Sequence, residues 1–548
     1  MNIMSLALPT LPRRTRSLAV PLLTVALALL APRAVAAAVP AHQQITNYAG
    51  AQSCTVCHPD AARQMMATVH WTWEHTNSLT GQRLGKNNVI NNYCIAVPSN
   101  EPRCTSCHVG WGYSDKTFDF SDETKVDCLV CHDTTGEYKK FPAGSGYPVM
   151  GTPKEFPAGS GKIWPVVDLV RVAQNVGKSS RATCGACHFY GGGDDAVKHG
   201  DLDSTMAYPS RELDVHMGTN GLNFACAECH QTEEHRIPGT RYAKDHTDAR
   251  MCENCHTAAP HQDSRPVLDL HTERVACQTC HIPAFARGGK STKMFWDWST
   301  AGVKGTNGQN IVIRNELGDP IYDTQKGSFV WERDVVPEYV WFNGGATYVT
   351  LDDEIQPGQV VLINRLHGSY ADGKSKIFPV KRFAAVQPYD AGLGRLVVPN
   401  LFPNNASDSN AYWKAFDWTN AIASGMAYVG RPFSGQVGWV QSEMYWIQNH
   451  MVAPKERALG CGECHTASGG RLDFAALGYE SNRVAFLQSE APWKGANHAG
   501  RFLAGYQGPS SCTKCHAGKV EEVMDSVHYT WRTPNPKLAF PGGGSHGM

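Results

Sequence analysis

Apolar residues follow different rhythms in different parts of this chain. Residues 18–31, LAVPLLTVALALLA, form a nearly continuous apolar run. It is shorter than the ~20 residues a membrane span needs. Arg13, Arg14 and Arg16 precede it and Ala34-Val35-Ala36 follows, the layout of a secretory signal cleaved after Ala36. The paired arginines are a poor match to twin-arginine export. No later run could cross a bilayer. Within 309–366 the stretches QNIVIRNE, GSFVWERD, ATYVTLDD and GQVVLINRL alternate or cluster β-branched and aromatic residues between turn formers, which predicts strands. Residues 408–429 and 436–451 carry Trp, Tyr and Met stripes that predict helices packed on a core. Short helices and long loops are expected elsewhere. The predicted fold class is mainly α with long loops, with a β-containing lobe inserted at about 290–400.

Composition adds the chemistry. The chain has 548 residues, 42% hydrophobic and 18% charged, so it folds and bulk disorder is excluded. Formal charge is +0; cleavage removes four arginines and no acid, leaving −4, with nothing to suggest nucleic-acid binding. Nineteen cysteines are present, and eighteen fall in nine copies of Cys-x-x-Cys-His. The copies are Cys54, Cys57, His58; Cys104, Cys107, His108; Cys128, Cys131, His132; Cys184, Cys187, His188; and Cys226, Cys229, His230. They continue with Cys252, Cys255, His256; Cys277, Cys280, His281; Cys461, Cys464, His465; and Cys512, Cys515, His516. Two thiols at this spacing add to the two vinyl groups of one haem, and the adjacent His binds the iron. A single copy could be a redox dithiol or half a zinc site. Nine copies behind a signal sequence predict nine covalently attached haems c, and they exclude a disulfide scaffold.

Each iron also needs a sixth ligand. His42, beside the cleavage site, and His546, in a Gly-rich tail, are set aside. Twelve other histidines remain: His70, His75, His199, His216, His235, His246, His261, His271, His367, His450, His498 and His528. Of these, His70, His199, His216, His235, His246, His261, His271, His450 and His528 are assigned as ligands. Repeats support the assignment. His235 and His261 each lie five residues beyond a motif His, and His246 and His271 each lie six before the next motif. CTVCHPDAARQMMATVHWTW at 54–73 aligns without gaps to CTKCHAGKVEEVMDSVHYTW at 512–531, matching His70 to His528. Twelve residues of helix span ~18 Å, too far for His70 to cap the haem held by His58. His70 is therefore expected to ligate a neighbouring haem, and His528 likewise. The predicted organisation is a signal at 1–36, a heptahaem region at 37–285 and a motif-free β-containing lobe at 286–435. A helix with the eighth haem follows at 436–480, then a ninth-haem module at 481–548.

LGKNNVINNYCIAVPSNEPRCTSCH at 84–108, DCLVCHDTTGEYKK at 127–140, CGACHFYGGGDDAVKHGDLD at 184–203 and ALGCGECHTASGGRLDFAALGY at 458–479 resemble the octahaem tetrathionate reductase family of periplasmic cytochromes c. The match covers most of residues 50–480. The resemblance implies one catalytic haem with a lysine on its distal side and a free cysteine close by. It also implies reduction of tetrathionate, nitrite or hydroxylamine. Cys94 is the only cysteine outside a haem motif, with Asn91 three residues before it. Lys178 is the chosen lysine, with Lys198, Lys139 and Lys140 as rivals. The catalytic haem is assigned to the Cys104–His108 motif, ten residues beyond Cys94. The ninth motif departs from an octahaem pattern.

Three functions follow. The first is a periplasmic reductase whose site attracts small anions through Lys178, Arg181 and Lys198. The second is a non-catalytic electron conduit, periplasmic or extracellular. The third is the same site run as an oxidase. The expected partners are quinol-linked or small-cytochrome electron donors and a small anionic substrate. Cys94 with a nearby lysine favours an enzyme, because a conduit needs neither.

Overall fold

The computed structural model describes residues 40–240, 249–261 and 266–489, with Val523–Met524, Thr533–Pro534 and Ser545–His546 beyond them. The signal sequence, His246, His498, the Cys512–His516 motif and His528 lie outside the described residues.

Among the described residues up to 285 the chain is loop punctuated by two-residue strands and by helices no longer than eight residues. Many of these helices carry a haem motif, as Glu101–Cys104, Leu129–His132, Arg181–His188, Glu253–His256 and Cys277–His281 do. Cys-x-x-Cys-His fills little more than one helical turn, so a single turn sets both thiols on one side. Helices this short are marginal alone and depend on what packs against them. Their local core gathers Trp71, Trp111, Leu129 and Val172.

From residue 292 to 447 the chain builds a nine-stranded mixed sheet. Its main path runs Val361–Leu362, Val437–Ile447, Lys376–Asp390, Thr292–Asp297, Gly327–Glu332, Pro320–Asp323, Val312–Arg314. Glu338–Phe342 and Arg395–Leu396 add to the long central strand. The expected mainly α fold is therefore wrong. Among the described residues the longest helix, Trp418–Tyr428, has 11 residues and the longest strand, Lys376–Asp390, has 15. Part of 408–429 is helical as expected, but 436–451 is not: Val437–Ile447 is a strand that pairs antiparallel with Lys376–Asp390. Val440, Ser442, Met444 and Trp446 point into the core at the two-residue period of a strand. Ser442 donates to Gln387 Oε1 (2.7 Å), so a polar pair occupies core positions and masks that period in the sequence.

The sheet carries the loop-rich half on its inner face. Trp296, Trp298, Phe383 and Trp446 pack with Ile90, Tyr93, Ile95 and Val197. Asn92 Nδ2 donates to Phe383 O (2.7 Å) and Trp298 Nε1 to Tyr93 O (2.9 Å). Buried Lys381 donates to Val197 O (2.8 Å) and Thr292 Oγ1 (2.7 Å). These bonds place Cys94 and Lys198 at the seam between the two halves. No helix among the described residues is long and apolar enough to cross a membrane.

Candidate functional site

Histidine rings meet in pairs across the loop-rich half. His70 lies 6.3 Å from His188, His132 6.3 Å from His235, and His216 6.0 Å from His256, centroid to centroid. His261 lies 6.5 Å from His281 and His271 6.1 Å from His465. His42 lies 6.3 Å from His58. Metal–imidazole bonds of about 2 Å on either side of one ion give about this spacing. The far nitrogens are held as ligand histidines require. His132 Nδ1 donates to Gly177 O (2.8 Å), His465 Nδ1 to Leu487 O (2.8 Å) and His261 Nδ1 to Asp269 Oδ1 (2.9 Å). Burial pushes His70 down to about 4, keeping its ring neutral with a lone pair to give. His230 donates through Nδ1 to Pro238 O (2.9 Å) and interacts with His450, which is fixed by Asp201 Oδ2 (3.1 Å). Six motifs therefore face a second histidine at this spacing, and His450 lies near the histidine of a seventh, His230. His42, set aside in the sequence, is one of these partners. His199 instead packs edge-on against Trp446 at 4.9 Å.

The motif cysteines also neighbour one another, and none of the described cysteines forms a disulfide. Cys54 reaches Cys128, Cys184 reaches Cys226, Cys252 reaches Cys277, and Cys107 reaches Cys187. Weaker electrostatic links join Cys131 to Cys184, Cys229 to Cys255 and Cys280 to Cys464. The attachment points form a connected line from Cys54 to Cys464, with the Cys104 motif branching from it at Cys187. Paired imidazoles and paired thiols together fit covalently held haem.

The Cys104 motif is different. Its histidine is turned away: His108 Nε2 donates to Trp71 O at 2.6 Å, so the nitrogen that would bind iron carries a proton. The ring sits among Trp71, Trp73, Tyr113 and Phe118 at 5.1–5.4 Å. As placed, His108 cannot serve as the axial ligand expected of it.

Cys104 and Cys107 instead open on a cavity. Lys86, Arg103, Lys198, Lys293 and Lys326 line it against only Asp194 and Asp323. Cys94 forms part of the wall. Asn91 Oδ1 accepts from the Cys94 amide (2.8 Å), and Cys94 Sγ donates to Gly192 O (3.0 Å). The following residue, buried Ile95, has φ +67°, a strained conformation for a β-branched residue. Burial pushes the Cys94 thiol up, against the pull of Lys293, Arg103, Lys326 and Lys198, so it stays protonated.

The lysines separate clearly. Lys178 is exposed, one residue beyond the carbonyl that fixes His132, and does not line the cavity. Lys139 is exposed. Lys140 is buried and spent: it donates to His108 O and Gly110 O and pairs with Asp127 (3.1 Å). Arg181 gives its donors to Ala207 O, Phe224 O and Asn223 Oδ1. Lys198 alone of the four lysines considered from sequence lines the cavity. No sequence motif marks Lys293, which lies inside the strand Thr292–Asp297.

This architecture has a counterpart. The chain is 42% identical to the octahaem cytochrome c from Shewanella oneidensis, with a TM-score of 0.72, over 82% of this chain and 98% of that one. It belongs to the octahaem cytochrome c family. Residues 293–468 of the cytochrome, the sheet and the Cys461 motif, match the family described as "Cytochrome c bacterial". An uncharacterised protein of Archaeoglobus fulgidus is 24% identical over 236 residues, covering 35% of the cytochrome and 76% of that protein. The cytochrome thus carries haem c and belongs to the multihaem redox proteins.

Proposed function

We propose that this cytochrome is a periplasmic reductase of small oxyanions, with tetrathionate and nitrite, and the related hydroxylamine, as substrates. The carrying observation is that the one described motif whose histidine is turned away is also the motif that opens on a cation-lined cavity. Cys104 and Cys107 would hold the haem of the reducing site, and Lys198, in place of His108 and Lys178, would be its protein ligand. Once bound, the haems would supply one-electron redox chemistry.

The protein's own groups do the rest. The excess of cations draws an anion into the cavity. Asn91 fixes the Cys94 backbone, so the thiol faces the same space. Trp296, Phe329, Trp331 and Trp413 wall off water. Electrons enter from a quinol-linked or small-cytochrome donor and reach the site through the Cys184 module. A ninth haem at Cys512 and Cys515 would lengthen that path, and cleavage after Ala36 would accompany export.

Electron paramagnetic resonance of the full-length oxidised protein tests this, paired with dye-linked turnover of nitrite, tetrathionate and hydroxylamine. One haem distinct from the bis-histidine set, with turnover, is the expected result. All haems bis-histidine and no turnover would instead make it an electron conduit.

A further inference from the structure

Lys293 is a buried amine with no carboxylate paired to it among the described residues. It is 4% exposed, and its amine has no hydrogen bond or ion pair among the described residues. Its neighbours are ring faces: Nζ lies 3.5 Å from the Phe329 centroid, 3.8 Å from Trp296 and 4.9 Å from Trp331. The other lysine on this wall, Lys326, is matched by Asp323 at 2.9 Å. A break in register between Lys293 and Phe295 creates this arrangement. In a regular strand, residues 293 and 296 would point to opposite faces. The bulge turns both to the core side, where Lys293 stands opposite Trp331 and Trp296 opposite Phe329. The amine is thereby aimed into the cavity beside Cys94.

A charged amine without a counter-ion is costly to bury. Burial, helped by Lys326, accordingly holds Lys293 well below the ordinary lysine range, while Cys94, Asp194 and Asp323 pull the other way. Lys86, Arg103 and Lys198 line the same cavity and add to the positive field. The ring cage favours the ammonium form once a negative partner arrives.

We propose that Lys293 is the anion-recognition residue of this cavity, and that an incoming oxyanion is bound together with one proton taken up on Lys293 Nζ. The amine gains N–H⁺, the anion gains its counter-charge, and the net charge of the cavity is unchanged. The proton is then held next to an anion whose reduction consumes protons. This selects oxyanions of nitrogen and sulfur over neutral molecules of the same size. The inference rests on the reductase reading only in taking the cavity as the place where the anion binds.

The test is nitrite binding to the oxidised full-length holoprotein without reductant. Binding is followed by haem absorption and by calorimetry in buffers of different ionisation enthalpy, across the neutral to alkaline range. The wild type should take up one proton per nitrite and lose about tenfold in affinity per pH unit above the titration of the free amine. Lys293→Arg, permanently charged, should bind nitrite with no proton uptake and a flat pH profile. Lys293→Gln should bind at least tenfold more weakly, again without uptake, while Cys94→Ala should keep the uptake. Proton uptake of wild-type size in Lys293→Arg overturns the proposal, and that variant decides even where Lys293→Gln fails to fold. A wild type that binds nitrite with proton uptake but never reduces it sustains this inference and sinks the reductase reading.

Discussion

Cys184-Gly-Ala-Cys-His188 and Cys104-Thr-Ser-Cys-His108 share the same reactive residues at the same spacing and meet different fates. His188 faces His70 at 6.3 Å with room for a metal between the rings. His108 gives its Nε2 proton to the carbonyl of Trp71. The two decisive groups, the His70 ring and the Trp71 carbonyl, come from adjacent residues on one short helix, Val69–Thr72. One element thus completes one cradle and turns the histidine of the next away. A haem motif specifies attachment; the surrounding fold decides ligation.

The sharpest way to break that comparison is His70→Ala. The haem at Cys184 should lose its low-spin signature while the haem at Cys54 keeps its own. Turnover in the cavity should fall by at least an order of magnitude, because Cys187 adjoins Cys107 on the only described branch leading there. A change confined to the Cys54 haem would show that the ring pairing is wrong. Next in size is Lys198→Ala, which should alter the spectrum of one haem, that at Cys104. A silent Lys198→Ala paired with an active Lys178→Ala would return the ligand role to Lys178.

Much of this was legible in the chain, for identifiable reasons. Vinyl chemistry fixes the motif spacing, so the attachment sites read directly. The helix expected to run from His58 to His70 is broken into Ala61–Met66 and Val69–Thr72, yet His70 still sits beside His188. His42 was set aside for its position near the cleavage site, yet it meets His58. Position in sequence said nothing about what a terminal loop folds back onto. The sheet was under-read because polar side chains occupy its core face. Lys381 finds Val197 O and Thr292 Oγ1, and Ser442 finds Gln387. Each partner is remote in sequence, so each satisfied polar group looks locally like a break in the apolar period. Lys293 was invisible for the same reason, since only the bulge gives it a direction.

His108→Ala sharpens the comparison from the other side. His188→Ala should strip a ligand from a haem, whereas His108→Ala should leave the number of low-spin haems unchanged. It should still destabilise, since the ring fills a cage of four aromatic residues. Removing a buried ring costs about 3–5 kcal/mol, measurable by denaturant unfolding. A spectral change without loss of stability would mean that His108 swings back to the iron.

The smallest predicted effect compares the residues three positions before each first cysteine. In the Cys184 module this is Arg181, with its guanidinium donors satisfied by three acceptors. In the Cys104 module it is Glu101, 2% exposed, with Oε1 accepting from Tyr428 (2.7 Å) and Oε2 without a partner. Burial pushes Glu101 from 4.5 up to about 7, against the Tyr428 hydrogen bond. The folded protein therefore holds this proton at pH values where the unfolded chain has lost it. The stabilisation is fully present below pH 4.5 and is lost as pH rises through about 7. At 1.36 kcal/mol per unit, the loss is about 3 kcal/mol at most. Glu101→Gln keeps the acceptor for Tyr428 and cannot ionise. Its unfolding free energy should match the wild type in acid and exceed it above neutrality. Parallel stability curves across that range would show that Glu101 is already ionised in the folded protein, and that the buried turn beneath Cys104 tolerates a charge.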